Sequence, residues 1–260
     1  VWFPDDVPTE SPLFADLNPV QREAVAATEG PVLVVAGAGS GKTRVLTYRI
    51  AHLIRDLRVP PAAILAITFT NKAADEMQAR VGQLVGGAVK AMWVSTFHSA
   101  CVRILRREVS RLGYRSSFSI YDEGDSMRLL GMCLRDLDLD QKRFPVRGLK
   151  AAISKAKNEL VDYESFASQG TGFYHEQVAD VYRLYQQRLL EGSAMDFDDL
   201  LMITVELFGA FPEVLAHYQD KFRYVLVDEY QDTNRAQYVI VRELTAKNRN
   251  LCAVGDQDQS

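Results

Sequence analysis

Cysteine is scarce. Cys101, Cys133 and Cys252 lie far apart with no CxxC pair, which excludes a disulfide framework and gives no zinc-site spacing. They read as small buried apolar side chains in a reducing compartment. The four histidines likewise show no metal-ligand spacing. No apolar run reaches the ~18 residues of a membrane span. The first 30 residues carry Asp5, Asp6, Glu10, Asp16 and Glu23 where a secretory leader would be apolar, so a cytoplasmic protein is expected. Repeats and low-complexity tracts are missing too. A basic excess is also lacking, since 30 Lys and Arg stand against 34 Asp and Glu, a net charge of -4. As a sum, that balance argues against a nucleic-acid partner.

What is present is an ordinary globular composition, 47% hydrophobic and 25% charged in 260 residues, enough for one large domain or two modest ones. The charge is unevenly spread. Arg103, Arg106, Arg107, Arg111 and Arg115 oppose one acid, Glu108, within residues 101–115. Lys142, Arg143, Arg147, Lys150, Lys155 and Lys157 share residues 142–157 with no acid at all. The remainder is therefore strongly acidic, and the local excesses say more than the total.

Residues 1–16, rich in Pro, Asp and Glu, read as a flexible lead-in. PVLVVAG (31–37) has the continuous apolar pattern of a strand buried on both faces, and Val45, Leu46, Ile50, Leu53, Ile54 and Leu57 follow at helical spacing. AILAITF (63–69) and MWVST (92–96) are strand-like, each followed by a helix-like segment. That alternation predicts a parallel sheet with helical crossovers. From about 110 to 194 only helical patterns are legible, after which FRYVLVDE (222–229) and NLCAVGD (250–256) restore strands. The expected architecture is an α/β domain built on a parallel sheet. Residues 17–109 and 195–260 would form it, interrupted by an all-helical insertion over 110–194.

AGAGSGKT, Ala36 to Thr43, lies between a predicted strand and a predicted helix. Glycines there let the backbone turn its N–H groups toward a phosphate, and the helix N-terminus adds partial positive charge. Ala38, Gly39, Ser40 and Gly41 would line the loop, Lys42 would reach the terminal phosphates and the Thr43 hydroxyl would bind Mg2+. Ala36 departs from the strict pattern by occupying its first glycine position. VLVDEYQD (225–232) puts Asp228 and Glu229 at a strand end, where one carboxylate can hold Mg2+ and the other can deprotonate a water. Alone, such a pair is as readily solvated loop charge; beside AGAGSGKT it completes a nucleotide–magnesium site. In VGDQDQS, Asp256 and Gln259 would flank the γ-phosphate, though a polar turn reads equally well.

LNPVQREAV (17–25), AGAGSGKT, ITFTNKAADEM (67–77), STFHS (95–99), DFDDLL (196–201), VDEYQD and GDQDQS follow the order and spacing of the UvrD/PcrA/Rep helicases of superfamily 1, and the chain resembles that family over residues 17–260. The resemblance implies an ATP- and Mg2+-dependent enzyme moving 3′ to 5′ on single-stranded DNA, with the α/β domain, called 1A, as a RecA-like P-loop NTPase fold carrying helices on both faces of its sheet, and the all-helical insertion as 1B. It implies that Gln21 bonds the adenine, Arg44 approaches the phosphates, Asp228 binds Mg2+, Glu229 is the catalytic base and Gln259 links the γ-phosphate to the DNA groove. Phe69, Thr70 and Asn71, continued by Thr96, Phe97 and His98, would form the single-strand track, since aromatic faces stack on any base and hydroxyls and imidazoles bond phosphates. Core packing is the alternative for Phe69, Phe97 and His98.

The basic clusters then become candidate contacts to DNA or ss/ds junctions, with a solvated helix face as the alternative for the first, and docking of a repair or transcription partner as the alternative for the second. Val1 at the start and a third motif broken at Ser260 suggest a piece of a longer enzyme. Family members continue into domains whose arginines complete the ATP site, so the piece alone is expected to lack unwinding activity. A non-catalytic docking module and the motor part of a RecB-like helicase-nuclease are the rival expectations.

Overall fold

In a computed structural model the protein is described over residues 11–37 and 39–256. The elements run α1 (Pro19–Ala26), β1 (Val32–Val35), α2 (Lys42–Arg55), β2 (Ile64–Thr68), α3 (Asn71–Val85), β3 (Trp93–Thr96) and α4 (Phe97–Glu108). Then come β4 (Ser119–Tyr121), α5 (Glu123–Asp136), α6 (Val146–Asn158), α7 (Tyr163–Ser168), α8 (Phe173–Glu191), β5 (Ala194–Asp196) and α9 (Phe197–Ala210). The chain finishes with α10 (Pro212–Lys221), β6 (Tyr224–Val227), α11 (Arg235–Thr245) and β7 (Leu251–Gly255). Two compact units result. One comprises Val1–Phe97, Leu215–Thr233 and Val241–Ser260; the other comprises His98–Val214 and Asn234–Ile240.

The first unit is built on a five-stranded, all-parallel sheet in the order β1-β7-β6-β2-β3. β2 is buried at every residue, as its unbroken apolar run requires. Leu46, Ile50 and Leu53 of α2 pack with Met77 and Val81 of α3 and with Ala66, Leu226 and Val254 of the sheet, which places the helical apolar stripes read from the sequence against one core. β1 departs from expectation. Leu33 and Val35 are 65% and 50% exposed, because β1 is an edge strand and alternate side chains leave the core. The lead-in departs as well: Pro12–Phe14 forms a 3-10 turn that buries Leu13 and Phe14, and the Phe14 ring meets His52 edge-on at 5.1 Å.

The second unit packs α5, α6 and α8 around Leu130, Leu134, Leu149, Ile153, Val181 and Tyr185. It is not all-helical. β4 and β5 form a two-stranded parallel sheet pairing Ser119 with Ala194 and Tyr121 with Asp196. Three residues are too few to show a period of two, so these strands left no pattern. Its compact limits, 98–214 and 234–240, also take in most of α4 and all of α9, beyond the 110–194 drawn from the sequence. All three cysteines are free and buried.

Candidate functional site

Parallel strands deliver their C-terminal ends to one edge of a sheet, and the loops leaving that edge carry the chemistry of such folds. In the first unit the motif-bearing segments leave from there: 36–43 after β1, 69–71 after β2, 228–232 after β6 and Asp256 after β7. The Ala36 N–H continues the ladder to the Gly255 carbonyl at 3.1 Å, so the start of the glycine loop is fixed to the end of β7. Gly39 and Gly41 have φ of 76° and 89°, left-handed values that a side chain disfavours. Gly41 is the residue before α2, and Lys42 and Thr43 open that helix, whose exposed N–H groups favour an anion.

Lys42 Nζ donates to Asp256 Oδ2 at 2.9 Å, and this ion pair is nearly sealed, the side chains being 10% and 1% exposed. The hydrogen bond to Asp256 outweighs burial and pushes the ammonium above the ordinary lysine value, with the charges of Glu229 and Asp228 acting in the same direction. Asp228 is buried, and burial followed by the adjacent Glu229 charge raises its pKa above the usual carboxylate value. Two neighbouring carboxylates held in this way are suited to a divalent cation, which would favour their ionised forms. Glu229 is a non-glycine residue at φ 50°, and its N–H donates to Asp228 Oδ1 at 3.0 Å. Backbone of this kind clusters at functional sites.

Gln21 takes part in a capping box with Asn18 at the start of α1 and donates from Nε2 to the Ser40 carbonyl at 3.2 Å, so it touches the glycine loop. Arg44 is exposed and sits over the Tyr48 ring at 5.2 Å. Ala38 and Gln259 lie outside the described residues.

Phe69 is half-buried and exposed Asn71 begins α3, while the Thr70 side chain caps that helix by accepting from the Ala73 N–H at 3.1 Å. Thr96 is buried at the end of β3. Phe97 is 2% exposed with its ring edge-on to Phe69 at 5.7 Å, so of its two readings the structure favours packing, as a support for Phe69. In the second unit, His98 stands edge-on to exposed Phe197 at 5.8 Å, and burial lowers its pKa.

The second basic cluster needs correction. It lacks acids in sequence but not in space. Lys157 is 0% exposed and bonds Asp196 Oδ2 at 3.1 Å and Asp199 Oδ1 at 2.7 Å; Lys150 bonds Asp196 and Asp198 at 3.2 and 3.0 Å. These lysines are internal partners of DFDDLL, about 40 residues downstream, and are unsuited to DNA contact. Exposed Lys142, Arg143, Arg147 and Lys155 remain. In the first cluster, Arg106 bonds the Ser116 and Phe118 carbonyls and covers the Phe118 ring, and Arg111 pairs with Glu108 and Glu213. Arg106 and Arg111 therefore have structural duties. Gln231, to which the sequence assigns no role, joins the site: its carboxamide bridges Glu229 and Asp256. A lone Gln in a turn carries no periodic signal, and its partner lies 25 residues away.

A parallel sheet of this order, with a glycine loop opening a helix beside carboxylates at neighbouring strand ends, defines the RecA-like class of P-loop α/β domains. The UvrD/REP helicase N-terminal domain family matches residues 17–260, and the chain belongs to that family. It is 54% identical over 248 residues to the ATP-dependent DNA helicase PcrA of Bacillus subtilis, 95% of this chain and 34% of that protein. Proteins of the same description from Staphylococcus epidermidis and Staphylococcus aureus are 52% and 51% identical over the same share of each chain. The chain thus spans about a third of the length of the curated relatives it matches.

Proposed function

We propose that these residues form the first nucleotide-binding portion of an ATP-dependent DNA helicase that translocates 3′ to 5′ on single-stranded DNA, working in the cytoplasm on single strands and ss/ds junctions with repair or transcription proteins as partners. The observation that carries this reading is the Lys42–Asp256 ion pair set beside Asp228 and Glu229 at the strand ends. A lysine at a helix N-terminus facing three carboxylates fits a magnesium nucleotide, whose phosphates take the lysine and whose cation takes the acids. The PcrA relatives, described as ATP-dependent DNA helicases, support it.

Bound there, Mg-ATP supplies a γ-phosphoryl group whose transfer to water releases ADP and phosphate. The chain's own residues do the rest. Gly39 and Gly41 turn the loop backbone toward the phosphates, and the Lys42 ammonium and Thr43 hydroxyl hold the phosphate–magnesium end. Asp228 carries the cation, and Glu229 accepts a proton from the attacking water. Gln21, against the loop, selects adenine. Phe69, Thr70, Asn71, Thr96 and His98 serve the strand track. Arg44 and Gln259 complete the phosphate environment. The 260 residues alone bind nucleotide weakly at best and do not unwind DNA.

Equilibrium binding of Mg-ATP to the chain tests the first claim, with Lys42→Met weakening it. A duplex-unwinding assay tests the last. Strand separation by the isolated chain contradicts it, as does single-strand-stimulated hydrolysis that survives Glu229→Gln for the assignment of the base.

A further inference from the structure

Gln231 spans two segments of the nucleotide site with one carboxamide. Its Nε2 donates to Glu229 Oε2 at 2.7 Å, and its Oε1 accepts from the Asp256 backbone N–H at 3.0 Å. Chemistry fixes this orientation. Reversal would set an oxygen against a carboxylate and an NH2 against an N–H. Nε2 also lies 3.5 Å from Asp232 Oδ2, a marginal second contact. The carboxamide rests over Gly255, where an added Cβ would stand 3.0 Å from Oε1. Only a residue without a side chain leaves that place fully open.

Asp256 also receives the Lys42 ammonium on its side chain, so Lys42 of the glycine loop is linked to the proposed base through Asp256, whose backbone N–H bonds Gln231, and through Gln231, which bonds Glu229. The geometry points to Gln231 as a positioning residue for hydrolysis: it aims the Glu229 carboxylate and ties that aim to the segment that pairs with Lys42. The inference rests on the reading of Glu229 as the base. Glu229 stands on left-handed backbone in a loop, and its Oε2 is fixed by this donor. An incoming phosphate competes with Asp256 for Lys42, and Gln231 carries the resulting shift of the Asp256 backbone to Glu229. The nucleotide is bound by the loop, so Gln231 acts on turnover and leaves affinity nearly alone.

The test measures kcat and KM for ATP in the full-length gene product and Mg-ATP affinity in the 260-residue chain, with unfolding midpoints alongside. Gln231→Met, similar in length and without the two hydrogen bonds, is expected to lower kcat about 10- to 100-fold, as partners behind a functional side chain do. KM and affinity should move less than threefold. In a Glu229→Gln background the same change should add nothing, because the carboxylate it aims is already gone. Gly255→Ala, which pushes the carboxamide without altering Gln231, should reproduce part of the loss in kcat. Gln231→Glu keeps the acceptor for Asp256 but replaces the donor to Glu229 with a carboxylate oxygen that repels it; it should also lower kcat, and it repeats the test should the Met variant unfold.

A kcat within twofold of wild type for Gln231→Met overturns the inference. So does a rise in KM at constant kcat, or a loss that multiplies with that of Glu229→Gln. Full hydrolysis by Glu229→Gln itself would instead remove the reading of Glu229, a separate failure.

Discussion

The two units each hold a lysine against aspartate, and the two pairs do opposite things. Lys42 meets one carboxylate, Asp256, at 2.9 Å, and keeps a 10% exposed side chain at the mouth of a glycine loop. Lys157 meets two, Asp196 and Asp199, at 3.1 and 2.7 Å, and is fully enclosed, with Tyr185 donating a further hydrogen bond to Asp196 at 2.9 Å. The first ammonium keeps a small exposed area and, among the described residues, is paired with Asp256, which a phosphate can displace. The second is paired with two carboxylates and sealed from solvent, so no ligand can reach it. Here the number of counter-charges and the access to them separate a binding lysine from a structural one. The sealed cluster ties α6, α8, β5 and α9 together: Lys150 reaches Asp196 and Asp198, and Gln186 of α8 donates to Asp199 Oδ1 at 3.0 Å.

The contrast can be broken most sharply at Lys157. Lys157→Met strands buried carboxylates without their cation, and breaking a buried pair in this way costs about 3–5 kcal/mol. Urea unfolding should show a loss of that size, largely recovered when Asp199 is replaced by Leu in the same chain; an unfolding free energy within about 1 kcal/mol of wild type contradicts the structural role. Lys42→Met should reverse the pattern. Stability changes less than at Lys157, whereas hydrolysis in the full-length product drops about 10²- to 10³-fold, the scale for removing one transition-state donor.

A third prediction follows from pH. Burial, then the Asp196 charge, raises the Asp199 carboxyl above its ordinary value, whereas at Asp196 the charges of Lys157 and Lys150 prevail over burial and hold the carboxyl below its own. A raised carboxyl binds its proton more readily folded than unfolded, so its contribution to stability grows as pH falls through the raised value toward about 4. Asp196 acts in the other direction, and its contribution is lost only below about 4. Asp199→Asn lacks the first effect. The wild-type minus variant difference in unfolding free energy should therefore increase between pH 7 and 5, and a flat or falling difference would remove the assignment.

At the loop, Gly41→Ala forces a side chain onto φ 89° and brings a Cβ to 2.7 Å from Gln21 Nε2, so it should cost roughly 1–2 kcal/mol and weaken nucleotide binding. The smallest effect belongs to the exposed remainder of the second basic cluster. Lys142, Arg147 or Lys155 changed singly to Glu should alter stability by less than about 0.5 kcal/mol. If these residues neutralise phosphates, each change should reduce the salt slope of DNA binding by about 1, and an unchanged slope would confine them to a solvated face.

Much of the first unit was legible because its signals are local. The apolar runs of β2, β6 and β7, the helical stripe of α2 and the glycine loop between strand and helix each lie within about 15 residues. The topology then brings Lys42, Asp228 and Glu229 to one sheet edge. Less was legible in the second unit. Its two strands are three residues each, and its basic cluster owes its meaning to acids some 40 residues further on. Phe69 and Phe97 show the same limit: identical residue types at strand ends, one half-buried and one enclosed, differ only through what packs over them.

The sequence alone determined the class of fold, the family and the phosphate-binding loop, because periodicity, glycine placement and ordered motifs are written in neighbouring residues. Tertiary structure decided which charges are available. It closed Lys150 and Lys157 into DFDDLL, set Asp256 on Lys42, left one face of β1 open and placed Gln231 between Glu229 and Asp256. The physical reason is that the role of a charge depends on its distance to other charges and to water, and folding sets both between residues that the chain keeps far apart.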